Sequence, residues 1–106
     1  MPHLTIEYSA NLQAKTDIAG LCRALQGAMV QTGLFELGAI RVRALRCDDY
    51  AVADLLAENG FADLRLRIGA GRSEADKRRA GEVIFAAAVA HLAPLFDSPH
   101  FALTLD

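Results

Sequence analysis

One pattern constrains this chain more than any other: a strand-like alternation, a helical stripe and a second alternation follow one another, and the whole series occurs twice. In HLTIEY, Leu4, Ile6 and Tyr8 alternate with His3, Thr5 and Glu7, the period of a strand with one apolar face. The spacing predicts a first strand over Pro2 to Tyr8. Thr16 or Asp17 can then cap a helix whose Ile18, Leu21, Cys22, Leu25 and Met29 recur at helical intervals, with Gly33 suited to its end. After the turn-forming GLFELG, IRVRALR sets Ile40, Val42 and Ala44 against Arg41, Arg43 and Leu45, which puts two arginines on one face of a second strand.

The second half repeats the plan. LRLRIG alternates Leu64, Leu66 and Ile68 with Arg65 and Arg67, and AGRS leads into a helix that Ser73 can cap, with Asp76 three residues on. Val83, Ile84, Ala87, Ala88 and Leu95 fall at helical spacing, Pro94 limits the helix, and HFALTL alternates Phe101, Leu103 and Leu105. Between the halves, CDDYAVADLLAENGFAD fits a short strand, a helix or a turn at Asn59-Gly60, and periodicity does not choose among them.

Two βαβ units with right-handed crossovers predict an α/β (α+β) fold: a four-stranded mixed sheet with two helices on one face. A chain of 106 residues supports one hydrophobic core, hence a single domain over 1–106 with pseudo-repeats at about 1–47 and 61–106. The sheet's other face carries Thr5, Arg41, Arg43, Arg65, Arg67 and Thr104, polar residues of which the arginines have long aliphatic stems. A face of that kind left without helices predicts a closed homo-oligomer.

Composition removes several function classes. With 53% hydrophobic and 23% charged residues the chain is neither disordered nor fibrous, and a net charge of −2 gives no basic field for nucleic acid. Cys22 and Cys47 lack metal-ligand spacing and are expected to be buried, reduced thiols, with no metal site. FAAAVAHLAPLF is too short to span a bilayer and the N-terminus lacks a signal pattern, so the expectation is a cytoplasmic protein without a membrane partner.

The remaining question is chemical. Pro2 starts a strand, where a missing N–H costs nothing, but with Met1 removed it would also present a fixed secondary amine. Arg72, in GAGRS, lies where glycines allow close approach and a helix N-terminus favours an anion. If the repeats pair antiparallel, the end of the third strand lies beside the start of the first, which brings Arg72 toward Pro2. His3, His91 and His100 have no carboxylate or metal spacing and read as packing or surface residues; DKRRAGE reads as a solvated helix face.

MPHLTIEYSANL, TGLFELGAIRVR and LRLRIGAGRSEADKRRAGEVIF resemble the 5-carboxymethyl-2-hydroxymuconate Δ-isomerase family of the tautomerase superfamily. IGAGRS also resembles the strand-to-helix junction of 4-oxalocrotonate tautomerase, whose short chain corresponds to one βαβ unit. The resemblance implies a cofactor-independent isomerase acting on a small carboxylate, with Pro2 as acid and base, arginines as carboxylate holders and a homotrimeric assembly. Arg72 is the first such arginine and Arg41 the second, by resemblance and by its strand position, with Arg43 on the same face as its rival.

The chemistry suits these groups. A single base that accepts and returns one proton suffices for an enol-to-ketone shift, provided that its pKa lies near working pH. An α-amino group titrates at about 7.7 to 8.0, and guanidinium neighbours and burial would depress a more basic proline amine. Two other readings stand beside this one: a non-catalytic oligomeric module that holds a small anion, and a Pro2-dependent hydratase or dehalogenase with Glu7 as a weak second group.

Overall fold

The computed structural model describes residues 2–106; Met1, whose removal the amine mechanism requires, lies outside the described residues. The elements run β1 (His3–Ser9), α1 (Ile18–Gln31), β2 (Arg41–Cys47), β3 (Gly60–Arg67), α2 (Glu74–His91) and β4 (Phe101–Leu105). They form a four-stranded sheet in the order β2-β1-β3-β4. β1 runs parallel to β2 and β3 parallel to β4, whereas the two central strands, β1 and β3, are antiparallel. This is the mixed sheet that two βαβ units predict.

Alternation decides which side each residue takes. Leu4, Ile6, Tyr8, Ala62 and Leu64 are buried and pack with Leu21, Leu25, Met29, Ile84 and Ala88 of the helices. Each large aliphatic side chain so buried contributes roughly 1.5 to 3 kcal/mol. The helices run antiparallel and are tied at both ends. His91 Nε2, at the end of α2, lies 2.9 Å from the carbonyl of Asp17 at the start of α1. At the other end the Arg79 guanidinium donates to the carbonyl of Thr32, just past α1.

Local signals set the helix limits. Asp17, not Thr16, caps α1, its carboxylate accepting the Gly20 N–H at 3.0 Å, and Gly33 leaves the helix at a φ of +69°. Ser73 caps α2 through the Asp76 N–H at 3.1 Å. Three expectations need adjustment. β1 begins at His3, because Pro2 cannot donate to the ladder. Leu95 belongs to a 3-10 turn, Ala93–Asp97, and not to α2, since Pro94 cannot continue the α-helical bonding. Cys22 and Cys47 are free thiols as expected, but half-buried; partial burial raises the pKa of Cys22.

The middle segment resolves into an irregular loop over 48–59, with Ala53 and Leu55 at positive φ, followed by a β3 that starts at Gly60. Tyr50 of this loop sits edge-on to Phe61, with ring centroids 5.9 Å apart. The loop thereby covers the far end of the helix-free sheet face. The rest of that face carries His3, Thr5 and Glu7 between Arg41, Arg43 and Leu45 on one side and Arg67, Arg65 and Asp63 on the other.

Candidate active site

Antiparallel pairing of the central strands brings the start of β1 beside the end of β3, with His3 opposite Arg67. Parallel pairing on the other side puts His3 opposite Arg41, at the start of β2. One end of the sheet therefore gathers Pro2, the loop that leads into β2, and the turn that follows β3. Pro2 is buried there, and its carbonyl accepts the backbone N–H of Arg41 at 3.1 Å.

Each arginine at this end is oriented differently. Arg41 is exposed and curls back on its own turn, Nη1 donating to the carbonyls of Gly38 at 2.8 Å and Ile40 at 3.0 Å. A cavity of about 360 Å³ between α1 and β2 is lined by Cys22, Gln26, Ile40 and Arg41. Arg72 is half-buried, and its guanidinium lies over the ring of Phe35, 5.0 Å from the centroid. Gly71, at a φ of +95°, makes the turn that aims it there, a conformation open to glycine and strained for other residues. Phe35 is absent from the residues that sequence reasoning singled out; its position in GLFELG, a turn between two elements, carries no mark of an arginine platform.

The helix-terminus field expected to assist Arg72 is already engaged. Glu74 and Asp76 stand in the first turn of α2, where the dipole favours the helix's own carboxylates over an added anion.

Arg43 has a partner that the sequence does not reveal. Its Nη1 and Nη2 lie 3.2 and 3.3 Å from Nδ1 of His3. A guanidinium can only donate, so Nδ1 accepts and the ring is the neutral Nε2–H tautomer. Partial desolvation, followed by the charges of Arg67, Arg43 and Arg41, lowers the His3 pKa from its ordinary value of 6.5. His3, expected to be a packing or surface residue, thus belongs to the arginine cluster. Glu7 does not: five residues along β1 from Pro2, it stands about 16 Å away at ~3.3 Å per residue, beside Asp63. Arg65 faces the same Asp63, at 3.9 Å.

The opposite end of the sheet shows what the second unit does with the equivalent position. Gly60 pairs with Phe101 as His3 pairs with Arg41, which makes Asn59 the counterpart of Pro2. Asn59 is buried; its amide nitrogen donates to Asp54 at 2.7 Å and to the Val52 carbonyl at 3.2 Å, and its oxygen faces His100 Nδ1 at 3.1 Å. The Asn59 amide and then the Leu56 N–H hold the Asp54 carboxyl below its usual range. An amide in a chain interior offers no base. No group of three or more His, Cys, Asp or Glu suited to a metal ion occurs among the described residues, and no helix among them is long and apolar enough to cross a membrane.

Comparison with known proteins agrees with this geometry. A fused 4-OT protein solved as a wild-type symmetric trimer is 20% identical, with a TM-score of 0.62 over 98% of this chain and 83% of its own, and shares the fold. The Escherichia coli 5-carboxymethyl-2-hydroxymuconate Delta-isomerase is 34% identical over 106 residues, all of this chain and 84% of that protein. A crystal structure of a 5-carboxymethyl-2-hydroxymuconate delta-isomerase superposes with a TM-score of 0.94 at 42% identity, over 100% of this chain and 80% of its own. The family model for 5-carboxymethyl-2-hydroxymuconate isomerase matches residues 2–106, and the chain belongs to that family.

Proposed function

We propose that this chain isomerises 5-carboxymethyl-2-hydroxymuconate to its 2-oxo isomer, with the amine of Pro2, once it is the first residue, as the proton carrier. The neutral amine takes the proton of the 2-hydroxyl. The C2 carbonyl forms as the electron pair moves along the diene, and the ammonium returns the proton to C5, which leaves the remaining double bond between C3 and C4. One base serves both transfers, so no second acid is required.

Arg41 and Arg72 are the carboxylate holders in this reading, because a planar fork binds a carboxylate in two places and keeps its charge at any relevant pH. Guanidinium charge brought near the amine would also disfavour its protonation. The observation that carries the proposal is the convergence at one sheet end: a buried Pro2 bonded through its carbonyl to Arg41, with the β3–α2 turn that bears Arg72 delivered alongside by the His3–Arg67 pairing. Glu7, distant from Pro2 within the chain, gives no support to hydration or dehalogenation. A homotrimer is part of the proposal, supported by the helix-free face, on which Leu45 is 49% exposed.

The decisive experiment follows the dienol by ultraviolet absorbance with purified protein whose N-terminus is established by intact mass. Conversion by chain beginning at Pro2 is the expected result. Binding of a dicarboxylate without conversion would leave an anion-binding module in place of an enzyme.

A further inference from the structure

The guanidinium groups of this molecule differ in what they lie against. Arg23, Arg46 and Arg65 lie against carboxylates, respectively Asp17 at 3.7 Å, Asp48 at 2.8 Å and Asp63 at 3.9 Å. At the Pro2 end the partners are neutral. Arg41 is held by two carbonyls, Arg72 by the face of Phe35 and Arg43 by the imidazole of His3. A neutral acceptor or an aromatic face fixes the direction of a guanidinium without cancelling its charge. Three arginines are thus aimed and left positive at one end of the sheet.

The substrate of the proposed function carries three carboxylates: one at each end of the diene and one on the carboxymethyl branch. Two of them fall to Arg41 and Arg72. We infer that Arg43, aimed by His3, receives the third, and that the His3–Arg43 pair sets the preference for a tricarboxylate over the unbranched dicarboxylate. Arg43 is the arginine within reach of the same substrate from the same strand: it follows Arg41 by two residues on the same face of β2, about 6.6 Å along the strand. Holding both Nη atoms at one ring nitrogen leaves the Nε side and the outer N–H groups to meet an incoming carboxylate. The lowered pKa of His3 fits this role, since only the neutral ring can accept from Arg43. Arg67, opposite His3, adds charge to the same region, and its removal serves as a control.

This inference rests on the reading of the chain as an isomerase of such acids, and the test separates the two. Steady-state kcat/KM is measured on 5-carboxymethyl-2-hydroxymuconate and on 2-hydroxymuconate for wild type, Arg43→Gln, Arg67→Gln, His3→Leu and His3→Asn. In Arg43→Gln the tricarboxylate loses roughly 10- to 100-fold more than the dicarboxylate, as for a charge-assisted contact. Arg67→Gln changes the ratio less. His3→Leu shifts the ratio in the same direction, through KM more than kcat, and His3→Asn, whose amide oxygen can accept from Arg43, restores most of it. Where Arg43→Gln does not fold, Arg43→Lys replaces it, with the same sign expected. Equal losses on both substrates in the Arg43 variant would overturn the assignment of the third carboxylate. Identical behaviour of His3→Leu and His3→Asn would overturn positioning through the ring nitrogen. A wild type that converts neither acid would instead refute the isomerase reading, and the inference with it.

Discussion

The backbone N–H of Arg41 donates to the carbonyl of Pro2 at 3.1 Å. One hydrogen bond of the parallel β1–β2 pair therefore fixes the separation between the strand end that would carry the amine and the strand start that carries the guanidinium. Neither residue can shift along its strand without breaking the ladder that the buried Leu4 and Ile6 lock in register.

Activity is expected to follow the free amine. Chain that retains Met1 has an amide nitrogen at Pro2, with no basic lone pair, and should bind carboxylate inhibitors while turning over slowly, by the roughly 10²- to 10⁴-fold that a general base supplies. Trimmed enzyme should lose kcat/KM as pH falls and the amine takes up a proton. Equal kcat for the two forms, each identified by intact mass, would place the proton on another group.

Arg72→Ala should weaken binding of a dicarboxylate inhibitor by about 1.5 to 3 kcal/mol, the range for a hydrogen bond to a charged group. Phe35→Leu removes the surface on which Arg72 lies and should have the same sign with a smaller effect, since a cation–π contact at a part-exposed site is worth about 0.5 to 1 kcal/mol. Isothermal titration of both variants, with folding checked by circular dichroism, measures this. Unchanged affinity in Arg72→Ala would remove that residue from the site.

His3 should titrate below 6.5 in the folded protein. The groups around it are Arg41 and Arg43 on β2, Arg67 and Arg65 on β3, and Glu7 further along β1. A folded-state pKa below the unfolded value means that the unfolded chain binds the proton more readily. The contribution to stability is then complete above pH 6.5 and lost as pH falls through the folded pKa. An NMR titration of the His3 ring gives the midpoint directly, and Arg43→Gln should move it upward.

The helix-free face should be covered by other copies of the chain. Sedimentation equilibrium at micromolar concentration is expected to give a trimer, and Leu45→Glu, which adds a charge to an exposed apolar position on that face, should shift the distribution toward smaller species. A wild-type monomer that still converts substrate would show that the face has no part in the site.

Much of this was legible because alternation and helical stripes are local. The assignments of Leu4, Ile6, Val42, Leu64 and Leu103 to the helix side follow from period alone, and pairing the repeats antiparallel puts the end of the third strand beside the start of the first, where the structure sets Arg67 opposite His3. The first half of β3 was hidden because Phe61 puts an aromatic on the polar face and breaks the contrast between the sides. The loop at 48–59 was hidden because Ala53 and Leu55 take positive φ with no glycine to announce it. His3–Arg43 and Arg72–Phe35 join residues far apart in the sequence, and their identity depends on side-chain direction, which no spacing rule encodes.

The antiparallel seam between β1 and β3 also bears on what half of this molecule could do alone. Separated from β3, β1 would become an edge strand with its backbone groups unpaired and Leu4, Ile6 and Tyr8 along one side, a template for another strand. Two copies of the first half, joined through that seam, would carry a proline at each end of one sheet. In the intact chain the seam closes within a single molecule, so its formation does not depend on protein concentration. At the other end of the sheet the position equivalent to Pro2 is taken by Asn59, which anchors a loop instead.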